Sequence, residues 1–294
     1  MNASLCESLR QSYEFSCGLL AMLEGTDEMI VQIHATLDDV GNCRKDGMNA
    51  VVGYVGYKSE WNKFNWRWMM TLQELKGEPF LHTSKYLNKF YLSDGCITDD
   101  DIARILAPFI AAVRETLLDG GALPVCVITE CDAYDRLTEQ EKKYIRPPDE
   151  HSFEVAVMLA ARALRNPLHL SDSISIQMDE AENAPRLYSR YAAMKSENDE
   201  LKAHLGAICF CDDKKHPPVQ AADMLGNVVL KTWRKINSNG PLPKAFQELT
   251  TLNGATIGGC MIHFDLPGLQ RLAEVRKQRA ERMSIPDDDG IRKV

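Results

Sequence analysis

The sequence predicts an α/β protein, a mixed sheet flanked by helices, and two patterns carry that reading. Two apolar runs, Met29–Leu37 and Ala50–Tyr57, bracket a turn from Gly41-Asn42 to Gly47 and read as a hairpin. Short apolar runs at Leu123–Thr129, Ile174–Met178 and Ala207–Phe210 then alternate with segments of helical periodicity. That order belongs to a sheet covered by helices.

The elements follow from local chemistry. About the first 27 residues read as helical and peripheral. Glycines in the returning strand, Gly53 and Gly56, point to close backbone approach. Ser59 is placed to cap a helix whose Trp61, Phe64, Trp68 and Leu72 share one face, a pattern of core packing. A polar connector carrying Phe80-Leu81-His82-Thr83 follows. Asp99, Asp100 and Asp101 open a helix running to about Leu118, where carboxylates favour the positive end of the helix dipole. Gly120-Gly121 ends it. Residues 131–150 are charged, contain Pro147-Pro148, and read as a loop or lid-like insertion. Further helices are expected over Phe153–Leu164, Pro185–Ala203, from Pro217 or Pro218 to about Lys235, and near 266–283. Asp287-Asp288-Asp289-Gly290 reads as a frayed tail. The expected organisation is an N-terminal helical extension (1–28), a core domain (29–236) with an insertion near 80–150, and a C-terminal helical extension and tail (237–294).

Bulk composition narrows the classes. The chain has 294 residues, 45% apolar and 26% charged, as expected of a soluble globular protein. Its net charge of −8 provides no global basic field for nucleic acid. Local basic groups remain at Lys142-Lys143, Lys214-Lys215, Lys231 with Arg234-Lys235, and through the C-terminal stretch from Arg276. Each also fits an ordinary solvated surface. Nine cysteines, with no Cys-x-x-Cys pair or zinc-ligand spacing, are expected to be reduced thiols in a cytoplasmic protein. Glu7 and Arg10 argue against a secretory signal, and no apolar run is long enough to span a membrane.

Chemistry gathers at three acidic signals. Leu37-Asp38-Asp39-Val40-Gly41-Asn42 and Ile176-Gln177-Met178-Asp179-Glu180 each end an apolar run in carboxylates. The third, Val219-Gln220-Ala221-Ala222-Asp223-Met224-Leu225, sets one Asp in an apolar helix, where Asp has poor propensity. Gln220 precedes Asp223 by one turn and shares its face. Taken singly, Asp38-Asp39 also fits a turn, and Asp179-Glu180 a turn with capping groups. If the two strands are parallel neighbours, Asp38, Asp179 or Glu180, and Asp223 meet at one sheet edge. Such a set suits Mg²⁺ or Mn²⁺ and two-metal phosphoryl transfer, with raised carboxylate pKa values while no ion is bound. Asp39 and Gln220 are candidates for supporting the ligands. His82 reads either as a general acid or base near the metals or as a buried, hydrogen-bonded histidine.

Several of these segments together resemble the domain-of-unknown-function 3800 family. Asp38-Asp39-Val40-Gly41 is similar to its Asp-Glu-Ser-Gly signature, with Asp39 in place of the usual Glu and Val40 in place of Ser. Val52-Gly53-Tyr54-Val55-Gly56, Trp61-Asn62-Lys63-Phe64 with Trp68, and Phe80-Leu81-His82-Thr83 resemble its Gly-rich strand, Trp-containing helix and aromatic-His segment. Pro217-Pro218-Val219-Gln220-Ala221-Ala222-Asp223-Met224-Leu225 resembles its closing helix. The likeness spans roughly residues 29–235. It implies a ribonuclease H-like fold of bacterial and mobile-element context. It further implies metal ligands at Asp38, Asp179 or Glu180, and Asp223, and a nuclease-type hydrolase. A further acidic residue on the first helix is usual in such sites, and Glu60 and Glu74 are the candidates here.

The expected function is hydrolysis of phosphodiesters in nucleic acid, with RNA or an RNA–DNA hybrid favoured over duplex DNA. Two alternatives stand beside it. One is a non-catalytic module that binds nucleic acid or protein, the other a hydrolase of nucleotides or other phosphoesters. A homodimer is the default expectation for assembly.

Overall fold

A computed structural model describes residues 33–75, 79–90, 98–163, 173–236, 243–252, 255–256 and 261–284. The expected N-terminal helical extension and the Asp287–Asp289 tail lie outside these residues. In chain order the elements are β1 (Ile33–Val40), α1 (Cys43–Asp46), β2 (Met48–Tyr57), α2 (Lys58–Glu74), α3 (Thr83–Asn88), α4 (Asp99–Val113), β3 (Leu123–Glu130), α5 (Cys131–Asp135), α6 (Glu139–Lys142) and α7 (Pro148–Ala163). They continue with β4 (Ile174–Asp179), α8 (Ala184–Glu197), α9 (Asp199–His204), β5 (Leu205–Cys211), α10 (Pro217–Ile236), α11 (Lys244–Thr250), β6 (Thr251–Leu252), β7 (Ala255–Thr256), β8 (Met261–Phe264) and α12 (Leu266–Ser284).

The main sheet is mixed and six-stranded, in the order β5-β4-β1-β2-β3-β8. Only β2 runs antiparallel to its neighbours, so the carboxyl ends of β1, β3, β4, β5 and β8 share one edge. Open α/β sheets bind ligands at that edge. Strand alternation sorts side chains into two cores. Ala50, Val52 and Tyr54 pack on one face with α2, α4, α10 and α11. Ala35, Leu37, Val51, Ile176 and Met178 pack on the other with α7 and α8. The α2 stripe is core as read: Trp61, Phe64, Trp68 and Leu72 are all buried, and Trp68 lies 4.9 Å from Phe109 of α4 between ring centroids.

Several elements differ from the sequence reading. β1 does not stop at Asp38; pairing with β2 carries it through Val40, opposite Ala50. The α2 helix begins at Lys58, and the Ser59 hydroxyl bonds Glu60 Oε1 rather than capping. Residues 131–150 are not a loop. They form α5, α6 and the start of α7, because Ala133, Leu137 and Ile145 bury against Leu269 and Ala273 of α12. The expected helix over 185–203 breaks at Asn198, whose backbone is extended. The helix opening at Asp99 does run to Leu118 as read, with its last turn, Arg114–Leu118, π-helical. The C-terminal region adds β8 to the main sheet beside β3, an element too short to show periodicity.

The cysteines differ as well. Cys43 and Cys131 are joined as a disulfide, with Cα atoms 5.3 Å apart. The α1 turn and the end of β3 meet at one sheet edge, where Cys131 N–H donates to Gly47 O at 3.0 Å. Cys126, Cys209 and Cys211 are free thiols. Among the described residues, no helix is long and apolar enough to cross a membrane.

Candidate functional site

β1 and β4 are adjacent and parallel, with Leu37 opposite Met178. Their next residues, Asp38 and Asp179, therefore stand side by side. Alternation then decides the faces. Asp38 pairs across β2 with Val52, which belongs to the α10 side, so Asp38 faces α10. Met178 belongs to the opposite core, so Asp179 shares the face of Asp38. Asp39 pairs with Val51 and points the other way, where Asn183 Nδ2 donates to its Oδ2 at 2.9 Å. Glu180 lies past the strand end and is exposed. Its N–H bonds both Cys211 O (3.1 Å) and Asp179 Oδ1 (2.9 Å).

Helix α10 starts at Pro217 and buries Ala221, Ala222, Met224 and Leu225 against the sheet. Gly226 brings it close: a methyl group there would meet a Val40 methyl at 2.4 Å. This approach carries Asp223 to Asp38. Asp223 Oδ2 accepts the Thr83 N–H at 3.0 Å and Oδ1 accepts Asn227 Nδ2 at 2.9 Å.

Electrostatics reports the crowding. Burial is the first cause raising the Asp38 pKa well above the usual carboxylate range. The charges of Asp223, Asp39 and Asp179 add to it, while the Asp39 N–H opposes them. Asp179 is pushed up to about 6, by burial and then by the charge of Asp213. Burial also raises Asp223, against the Thr83 hydrogen bond and the field of His82. Among the described residues no Lys or Arg pairs with Asp38, Asp179 or Asp223. Nor are three Asp, Glu, His or Cys side chains drawn together as a ready-made cage for an ion.

The remaining predicted residues fall around this group. His82 is half-buried at the N-cap of α3, 3.3 Å from Ser84 Oγ through Nδ1. Gln220 does not face the carboxylates directly: its buried carboxamide bonds Trp68, Leu81 and Asp213. Glu60 starts α2 at the opposite sheet edge, because β2 runs away from the site. Sequence reading missed Asp213, whose charge acts on both Asp179 and Asp223. Its only signal was a position just after a strand, among exposed charges. No protein-family model matches the chain, and a comparison with curated proteins finds no match.

Proposed function

We propose that this chain is a divalent-metal-dependent hydrolase of phosphodiester bonds in nucleic acid, on a ribonuclease H-like sheet, with RNA or an RNA–DNA hybrid as substrate. The observation carrying this reading is the apposition of Asp38, buried in β1, with Asp223 and Asp179, unrelieved by any Lys or Arg ion pair among the described residues. Buried like charges require protons or a cation. Hard carboxylate oxygens fit Mg²⁺ or Mn²⁺. Mg²⁺ is commonly held by one or two carboxylates, with water and substrate phosphates completing its shell. A closed protein cage is therefore unnecessary, and Asp38 with Asp223, or with Asp179, suffices. A bound ion would polarise a phosphoryl oxygen and acidify water. The protein's own contribution is to hold these oxygens in place and keep them poorly hydrated, with His82 near Asp223 as proton donor to the leaving oxygen.

A polyanionic substrate needs relief from the acidic cluster. Arg44 and Lys45 of α1 and Lys214 after β5 are exposed at the same sheet edge and can meet backbone phosphates.

Asp38→Asn and Asp223→Asn are expected to abolish Mn²⁺-dependent cleavage of RNA and RNA–DNA hybrids, with unchanged circular dichroism. Full activity in both purified variants would overturn the assignment. Absence of Mg²⁺ and Mn²⁺ binding by calorimetry at millimolar concentration would favour a non-catalytic binding module. Cleavage confined to mononucleotides would favour a nucleotide hydrolase.

A further inference from the structure

We infer that Gln220 is a positioning residue whose carboxamide holds both the Asp213 turn and the 81–83 segment against the carboxylate cluster. Its functional consequence rests on the hydrolytic reading above; its geometry does not. Gln220 is only 1% exposed. Its Oε1 accepts from Trp68 Nε1 at 2.9 Å and from Leu81 N at 3.0 Å, and its Nε2 donates to Asp213 O at 2.8 Å. Each loop partner then reaches the cluster. The Asp213 turn follows Cys211, the strand partner of Asp179, and the Asp213 charge acts on the Asp179 carboxylate. Two residues beyond Leu81, the Thr83 N–H donates to Asp223 Oδ2. One side chain thus fixes two loops that reach two of the three carboxylates, from a helix that carries the second of them, Asp223.

A carboxamide meets these demands at any pH. Trp68 Nε1 and Leu81 N can only donate, so the Gln220 oxygen must face them and its NH₂ must face the Asp213 carbonyl. An ionised carboxylate has no donor for that carbonyl, and an apolar side chain serves none of the three.

Gln220→Glu and Gln220→Met in the full chain separate the contacts. Amide hydrogen exchange at Asp213 and Thr83, measured without metal, reads how firmly each loop is held. In Gln220→Glu the acceptor contacts survive. Asp213 exchange is expected to run roughly tenfold faster than in the wild type at about pH 8, with Thr83 nearly unchanged, since one net hydrogen bond is worth about that factor. At about pH 5 a protonated carboxyl donates again and the Asp213 excess disappears. Gln220→Met speeds both amides at either pH. In Mn²⁺-dependent cleavage, Gln220→Met lowers kcat by roughly tenfold or more with little change in KM. Wild-type Asp213 exchange in both variants would overturn the inference. So would uniform acceleration of all core amides in both, which would assign Gln220 to packing alone. If the wild type cleaves nothing while the exchange pattern holds, the hydrolytic reading fails and the positioning role stands.

Discussion

Asp38 and Asp39 are adjacent and identical in chemistry, yet the pleat sends them to opposite faces of the sheet. Asp39 receives an amide donor from Asn183, whereas Asp38 receives the fields of Asp223 and Asp179. The cost of Asp38 is therefore readable in stability. Its folded pKa is raised, so the folded state retains a proton that the unfolded chain releases from about pH 4 upward. Stability from this group is full at low pH and is lost as pH rises through the folded pKa. Asp38→Asn removes the loss. In urea titrations without metal, the variant is expected to exceed the wild type at about pH 8 by on the order of 1–3 kcal/mol, and to match it near pH 4. The difference between the two proteins is the proper readout. Half-buried His34 and buried His151, lowered to about 4 and about 3, make both lose stability as pH falls below the ordinary histidine value of 6.5. Saturating Mn²⁺, at about a hundred times its Kd, should stabilise the wild type by about 2.7 kcal/mol and leave Asp38→Asn nearly unaffected.

Among the elements, the β1–β2 pair sets where Asp38 sits. Gly53 lies opposite Leu37, and a methyl group there would come within 1.8 Å of Thr36 O. The obstacle is backbone, so the strands themselves would have to part beside the site. Gly53→Ala is expected to cost more than about 3 kcal/mol by denaturant unfolding and to lose the Asp38–Asp223 apposition. Gly47 makes the control. Its φ is +73° and a methyl group there meets nothing within 4 Å, so Gly47→Ala should cost only about 1–2 kcal/mol. A Gly53 variant as stable as the Gly47 variant would show that the strand pair yields more easily than its geometry implies. The glycine was legible in the sequence as a point of close approach. The element it approaches was not, because strand register is a property of the pair.

Across the whole molecule, the disulfide joins residues 88 apart and ties the turn after β1 to the end of β3. Closing such a loop in the unfolded chain typically stabilises by about 2–4 kcal/mol. Cys43→Ser or Cys131→Ser should lower stability by that amount under non-reducing conditions, and mass spectrometry of the unreduced wild type should show the 43–131 link. Stability of the wild type that is indifferent to both variants and to dithiothreitol would argue that the pair is reduced in solution.

The α/β order, the aromatic core stripe of α2 and the three acidic segments were written in the sequence, because periodicity and composition are local. The tertiary structure decided the rest. It chose Asp179 over Glu180 for the face of Asp38, through parallel register with β1. It turned Asp39 away, folded 131–150 into helices over α12, and paired Cys43 with Cys131. It also brought Asp213 to the cluster through the carboxamide of Gln220. Each of these depends on which chain segments become neighbours. That follows from burying two apolar faces of one sheet at once, and it leaves no mark on any single stretch of residues.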